Sequence, residues 1–94
     1  MTAAKMKRAK LSAAHDSMDK VYAALAADLA FPAHFAGNLD ALWDTLLRDV
    51  EGPFEISWPG AAKAGRKIGP KFGALLTLLG ELEEARGDFK FRRR

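Results

Sequence analysis

Three short stretches of this chain alternate apolar and polar residues, and longer stretches with helical spacing lie between them. The alternating stretches are residues 7–12, where Ala9 and Leu11 interrupt charged neighbours, Phe54-Glu-Ile-Ser-Trp58, and Asp88-Phe-Lys-Phe-Arg92. Alternation with a period of two reads as a strand, and apolar residues at i, i+3 and i+4 read as a helix. Strands joined through helices need crossover connections, which are parallel and right-handed by default. The order strand–helix–helix–strand–helix–helix–strand therefore predicts an α/β fold: a small three-stranded parallel sheet packed by three to four helices.

The helices have readable limits. Asp16 or Ser17 suits an N-cap, and Asp19 in the first turn complements the helix dipole. Met18, Val21, Tyr22, Leu25 and Leu29 then form an apolar stripe, ended by Pro32. Ala33-His-Phe-Ala-Gly37 is aperiodic and reads as a loop. Asn38 is a strong N-cap for a second helix running to about Asp49, with Leu39, Leu42, Trp43 and Leu46 as its buried stripe. Gly52-Pro53 breaks the chain before the central strand. Residues 59–69 are punctuated by glycine and have room for one or two helical turns. Pro70 fits the first position of a last helix, whose apolar face is Phe72, Leu75, Leu76, Leu79 and Leu82, with Gly87 as terminator.

At 94 residues the chain has room for one domain, 1–94, with basic ends at about 1–6 and 92–94 expected to be flexible. A chain this short buries only ~60–65% of the surface its unfolded form exposes. It has no cysteine to compensate for a thin core, which points to a reducing compartment. No apolar run approaches the ~18–20 residues of a membrane span, and Leu11-Ser-Ala-Ala-His-Asp16 is too polar for a signal-peptide core. A cytoplasmic location is expected, with no membrane association.

The net charge of +3 conceals an asymmetry. Lys5, Lys7, Arg8, Lys10, Lys90, Arg92, Arg93 and Arg94 place eight cations in residues 1–10 and 90–94, which hold no acid. Residues 11–89 carry seven Lys/Arg and all twelve Asp/Glu, a net charge of −5. An acidic body with basic ends favours a cationic partner for the body. The basic ends lack aromatic interleaving or a recognition motif, so they read as solvated tails that discourage strand-edge pairing, and direct nucleic-acid binding is not expected.

On the second helix, at about 100° per residue, Asp40 and Asp44 fall on one face beside the apolar stripe. Asp40, second in the helix, is stabilised by free backbone N–H groups, so it has a structural reason to be acidic. Asp44 lies beyond the first turn, and its like-charge neighbour four residues back costs ~0.2–0.5 kcal/mol. Aspartate is also a poor helix former. A locally unfavourable carboxylate on an exposed face points to binding. Glycosidase-type chemistry needs a desolvating cleft that a short exposed helix does not offer. Near His34 there is no second histidine to complete a metal site. No nucleophile–base pair or phosphate loop is present. The chain reads as a binding protein with no catalytic residue, metal or cofactor.

Leu29-Ala-Phe-Pro-Ala-His-Phe-Ala-Gly-Asn-Leu-Asp-Ala-Leu-Trp-Asp44, with Glu51-Gly-Pro-Phe-Glu-Ile-Ser-Trp58, resembles the barstar family, intracellular inhibitors of barnase-type ribonucleases. The specific core of the likeness is Asn38-Leu-Asp-Ala-Leu-Trp-Asp44; residues 75–91 fit the family's ending more loosely, and the first strand matches only by position. The resemblance implies the same three-stranded parallel sheet and a one-to-one complex with a small basic ribonuclease, the free protein being a monomer. It implies that the loop and second helix plug the ribonuclease active site. Asp44 would sit where a substrate phosphate binds, with Asp40 and Glu81 as further contact carboxylates and Asn38, Trp43 and Leu47 beside them. It also implies a cis Gly52–Pro53 bond.

Four positions depart from the family pattern. In the loop His34-Phe35-Ala36, His34 replaces a contact tyrosine and Ala36 a glycine. Arg48 replaces a glycine and Asp49 a contact tryptophan. Arg48 lies four residues after Asp44, a spacing that favours an intrahelical pair and would partly neutralise Asp44. The target is then a related ribonuclease toxin as readily as barnase itself. The competing readings are a barstar-like module for another protein partner and RNA binding through the basic termini.

Overall fold

A computed structural model describes residues 6–93 of the chain. The elements run β1 (Lys7–Lys10), α1 (Met18–Leu29), α2 (Leu39–Asp44), a π-helical turn (Thr45–Asp49), β2 (Phe54–Ser57), α3 (Ala61–Ile68), α4 (Pro70–Ala85) and β3 (Phe89–Arg92). The three strands form one parallel sheet in the order β1-β2-β3. The predicted α/β architecture is the observed one.

Register divides the sheet into two chemically different faces. Lys7, Phe54 and Phe89 form one cross-strand row, and Ala9, Ile56 and Phe91 the next row on the same side. This side faces the helices: Ala9, Phe54, Ile56 and Phe89 join Val21, Leu25, Leu42, Leu46, Leu75, Leu79 and Leu82 in a single core. Phe54 and Phe89 pack at 4.8 Å between ring centroids. The alternate rows, Arg8–Glu55–Lys90 and Lys10–Ser57–Arg92, point away from that core. Truncating a fully buried leucine such as Leu25 or Leu42 would cost about 2–5 kcal/mol.

Both sheet edges are capped by carboxylates. The amide of Lys10 on β1 donates to Asp28 of α1 at 3.1 Å, and the amide of Phe91 on β3 donates to Glu83 of α4 at 2.8 Å. These bonds occupy N–H groups that would otherwise template pairing with another strand.

Local signals set most element limits, with exceptions that have physical causes. Ser17 is the N-cap of α1, its hydroxyl accepting from the amide of Lys20 at 3.2 Å. The helix stops before Pro32, because Ala30 adopts the left-handed conformation (φ 57°) and the amides of Ala30 and Phe31 both return to the Ala26 carbonyl. The first strand is shorter than residues 7–12, although the amide of Leu11 still reaches Ser57 O at 2.8 Å. In α4 the buried side chains are Leu75, Leu78, Leu79 and Leu82; Phe72 and Leu76 are half-buried rather than central. Phe72 instead lies edge-on to the buried Trp58, 5.7 Å between centroids, and covers Gly65 of α3, where a Cβ would run into its ring.

Of the basic ends read at about 1–6 and 92–94, one residue has a defined place in the sheet. Arg92 is the last residue of β3, in register with Ser57 and ion-paired to Glu55. Residues 1–5 and 94 lie outside the described residues. No helix among those described is long and apolar enough to cross a membrane.

Candidate functional site

Asn38 fixes the start of α2. Its backbone is extended (φ −141°, ψ 170°), its side-chain oxygen accepts from the amide of Ala41 at 2.7 Å, and its carbonyl accepts from Leu42 at 2.8 Å. A cap of this kind contributes about 1 kcal/mol. Two turns would otherwise make a marginal helix. The predicted stripe is only half buried: Leu42 and Leu46 are fully inside, whereas Leu39 and Trp43 sit at the margin of the core.

The predicted helix reaches Asp49, but its last turn is not α-helical. From Thr45 the hydrogen bonding widens, the amide of Val50 donating to Thr45 O at 3.1 Å. Thr45 itself is buried, and its amide is shared between the carbonyls of Ala41 and Leu42. π-Turns of this kind concentrate at functional sites.

The far end of this segment is held by a residue that sequence reading missed. Arg86, just past α4, sends Nη1 to the carbonyls of Val50 (2.7 Å) and Leu46 (2.8 Å), with Leu47 at 3.5 Å. Its Nε and Nη2 make a bidentate pair with Asp88 at 2.9 and 2.8 Å, and its guanidinium lies 4.9 Å from the Phe54 ring centroid. The hydrogen bond from Arg86 holds the Asp88 carboxyl below the usual carboxylate value. One guanidinium thereby terminates the π-turn and ties it to β2 and to the turn before β3. The pair also explains Gly52, where a Cβ would run into the Asp88 carboxylate, and the Gly52–Pro53 bond beside it is cis. The available sequence signal was the local Arg-x-Asp spacing; nothing in the sequence linked residue 86 to residues 46–50.

Between these anchors the candidate residues fall into three groups. Asp40, Trp43 and Glu81 come together around a shallow depression of about 440 Å³, floored by Leu39, Ala74, Thr77 and Leu78. Asp40 also borders a second depression of about 390 Å³, shared with Asn38, Tyr22 and Lys71. The loop group is uneven. Phe35 is half-buried, edge-on to Tyr22 (5.7 Å) and Phe31 (4.9 Å), while His34 and Ala36 are exposed. Burial pushes the Tyr22 hydroxyl above its usual range. Asp44 and Arg48 form the last group, exposed beyond both depressions, with Leu47 half-buried beside them.

Among the described residues Asp40 and Asp44 make no ion pair, and Arg48 does not reach Asp44. The intrahelical Asp44–Arg48 pair suggested by the spacing is therefore absent. No three His, Cys, Asp or Glu side chains converge as metal ligands among the described residues. The arrangement is a short, doubly anchored helix that presents unpaired carboxylates beside a half-exposed tryptophan. It has the means to bind a cationic surface. The chain matches the family described as Barstar (barnase inhibitor) over residues 5–93, nearly its whole length, and so belongs to the barstar family, whose members are ribonuclease inhibitors rather than enzymes.

Proposed function

We propose that this protein inhibits a small basic ribonuclease in a one-to-one complex, inserting the 34–36 loop and α2 into the enzyme's active site. Asp44 takes the place of a substrate phosphate among the cationic catalytic side chains. Asp40 and Glu81 supply further carboxylates at the rim of the depression they share, and Asn38, Trp43, Leu47, Phe35, Ala36 and His34 complete the contact. The observation that carries this reading is that Asp40 and Asp44 are exposed and, among the described residues, unpaired on a helix fixed at one end by Asn38 and tied beyond its other end by Arg86. A fixed anion meeting a preformed cationic pocket loses little freedom on binding, and the acidic surface steers encounter.

Membership of the family supports inhibition of barnase-type ribonucleases as the activity. His34, Arg48 and Asp49 favour a target other than barnase, because Arg48 adds a cation on the face offered to a basic enzyme. An intracellular immunity or antitoxin role in a bacterium follows from the same reading. The test is an inhibition assay against a panel of ribonuclease-domain toxins. Stoichiometric inhibition of one of them, weakened strongly by Asp44→Ala, is expected. Undiminished inhibition by Asp44→Ala would refute the phosphate-mimic mechanism.

A further inference from the structure

The sheet gathers on one surface the cations that the sequence places at opposite ends of the chain. Arg8 and Lys10 come from β1, Lys90 and Arg92 from β3, and all four are exposed on the face that points away from the core. Between them β2 contributes Glu55 and Ser57, giving the face a net charge of +3. Strands lie ~4.8 Å apart and same-face residues ~6.6 Å apart, so the four cations mark the corners of a strip roughly 10 Å by 7 Å at the backbone level.

Glu55 organises this strip. It is 7% exposed, and its two oxygens pair separately with Arg8 Nε (3.4 Å) and Arg92 Nε (3.5 Å). Held through Nε, each guanidinium keeps its two Nη groups for another acceptor, and among the described residues neither has one. Guanidinium forks of this kind suit phosphate oxygens.

We propose that this open sheet face is a second binding surface, which takes the phosphate backbone of single-stranded RNA. No aliphatic or aromatic side chain stands on the two rows themselves, and the exposed Met6 just before β1 borders them only at one end, so the strip lacks the central apolar anchor that a protein interface is built around. Phosphate binding needs only cations and forks. The absence of a stacking platform makes the binding indifferent to sequence. The strip is about as wide as a single nucleic-acid strand, which suits a linear polyanion better than a broad anionic plane such as a membrane. Leu42 and Leu46 of the α2 segment pack on the opposite side of the sheet, so RNA and a ribonuclease would not compete for one surface.

The experiment is fluorescence anisotropy of a labelled single-stranded oligouridylate with the full-length protein between 50 and 200 mM salt. Four phosphate contacts give a log–log salt slope of about −3. Lys10→Ala/Lys90→Ala, which breaks no ion pair among the described residues, should weaken binding about tenfold and reduce the slope by about 1.4, with the far-ultraviolet circular dichroism unchanged. Lys63→Ala/Arg66→Ala on α3 removes the same charge elsewhere and should stay within about twofold of the parent. No binding at 50 mM salt would overturn the proposal, as would equal losses in the two double variants. Binding of polyglutamate or phosphatidylserine vesicles in preference to the oligonucleotide would also overturn it.

Discussion

Arg86 Nη1 lies 2.7 Å from the carbonyl oxygen of Val50, and this contact joins the turn after α4 to the end of the segment carrying Asp44. The carbonyls of a helix end need donors from outside the helix, and here a single guanidinium serves both Leu46 and Val50. Its side chain is only 15% exposed, so these are charge-assisted bonds with little competition from water.

Arg86→Ala is expected to lower stability by about 2–4 kcal/mol, because it strips two carbonyls and Asp88 of their partner at once. Arg86→Lys should recover only a minor part, since an ammonium cannot span the carbonyls and the carboxylate together. Denaturant titration measures the loss. An Arg86→Ala protein with the parental midpoint would show that the strut carries no weight.

Asp40 and Asp44 should separate when each is changed to alanine. Asp40 sits in the first turn of α2, where its charge contributes about 0.3–1 kcal/mol to the helix, so Asp40→Ala costs stability as well as binding. Asp44 has no such role and no ion-pair partner among the described residues, so Asp44→Ala leaves stability unchanged or slightly raised. Inhibition should fall further for Asp44→Ala than for Asp40→Ala. Titration of a responsive ribonuclease with both variants, alongside their unfolding curves, gives the comparison.

Acid should loosen the Arg86 junction. The Arg86 hydrogen bond lowers the folded-state value of Asp88 below its ordinary 3.8. A carboxyl depressed in the folded state adds stability that is complete above the unfolded value and lost as pH falls through the folded one. Asp16 shifts the same way through its hydrogen bond from Lys20. Stability from these two groups should hold from neutrality to about pH 4 and decline below it. Asp88→Asn should show a smaller decline than the parent over that acid range, although its stability at neutral pH is lower.

What the sequence disclosed, and what it withheld, follows from how far each determinant reaches along the chain. Asn38 as a cap, the burial of Leu42 and Leu46, and the three parallel strands were legible because caps, helical periods and strand alternation are local. The π-turn was not, because Thr45-Leu-Leu-Arg-Asp49 continues an ordinary helical pattern and its widening is accompanied by bonds from Arg86, about 40 residues away. Trp43 looked as buried as Leu42, yet it lies at the margin of the core, where hydrophobic periodicity cannot tell an inner from an outer position. Arg8 and Arg92 read as unrelated tails until the sheet register placed both beside Glu55.

Arg48 tests whether local charge tunes the choice of target. It is exposed on the π-turn and does not neutralise Asp44 by direct pairing, so its charge acts on a partner through space. Toward a strongly basic ribonuclease, Arg48→Ala should raise the association rate by a few-fold at low salt. The effect should shrink as ionic strength brings the Debye length down to about 8 Å near 0.15 M. Arg48→Glu should raise the rate further, with a steeper salt dependence. Stopped-flow mixing with a barnase-type enzyme and with the best-inhibited toxin compares the two cases directly. If Arg48 selects a target bearing an acid at the matching position, the same substitutions would slow association with that toxin while speeding it with barnase.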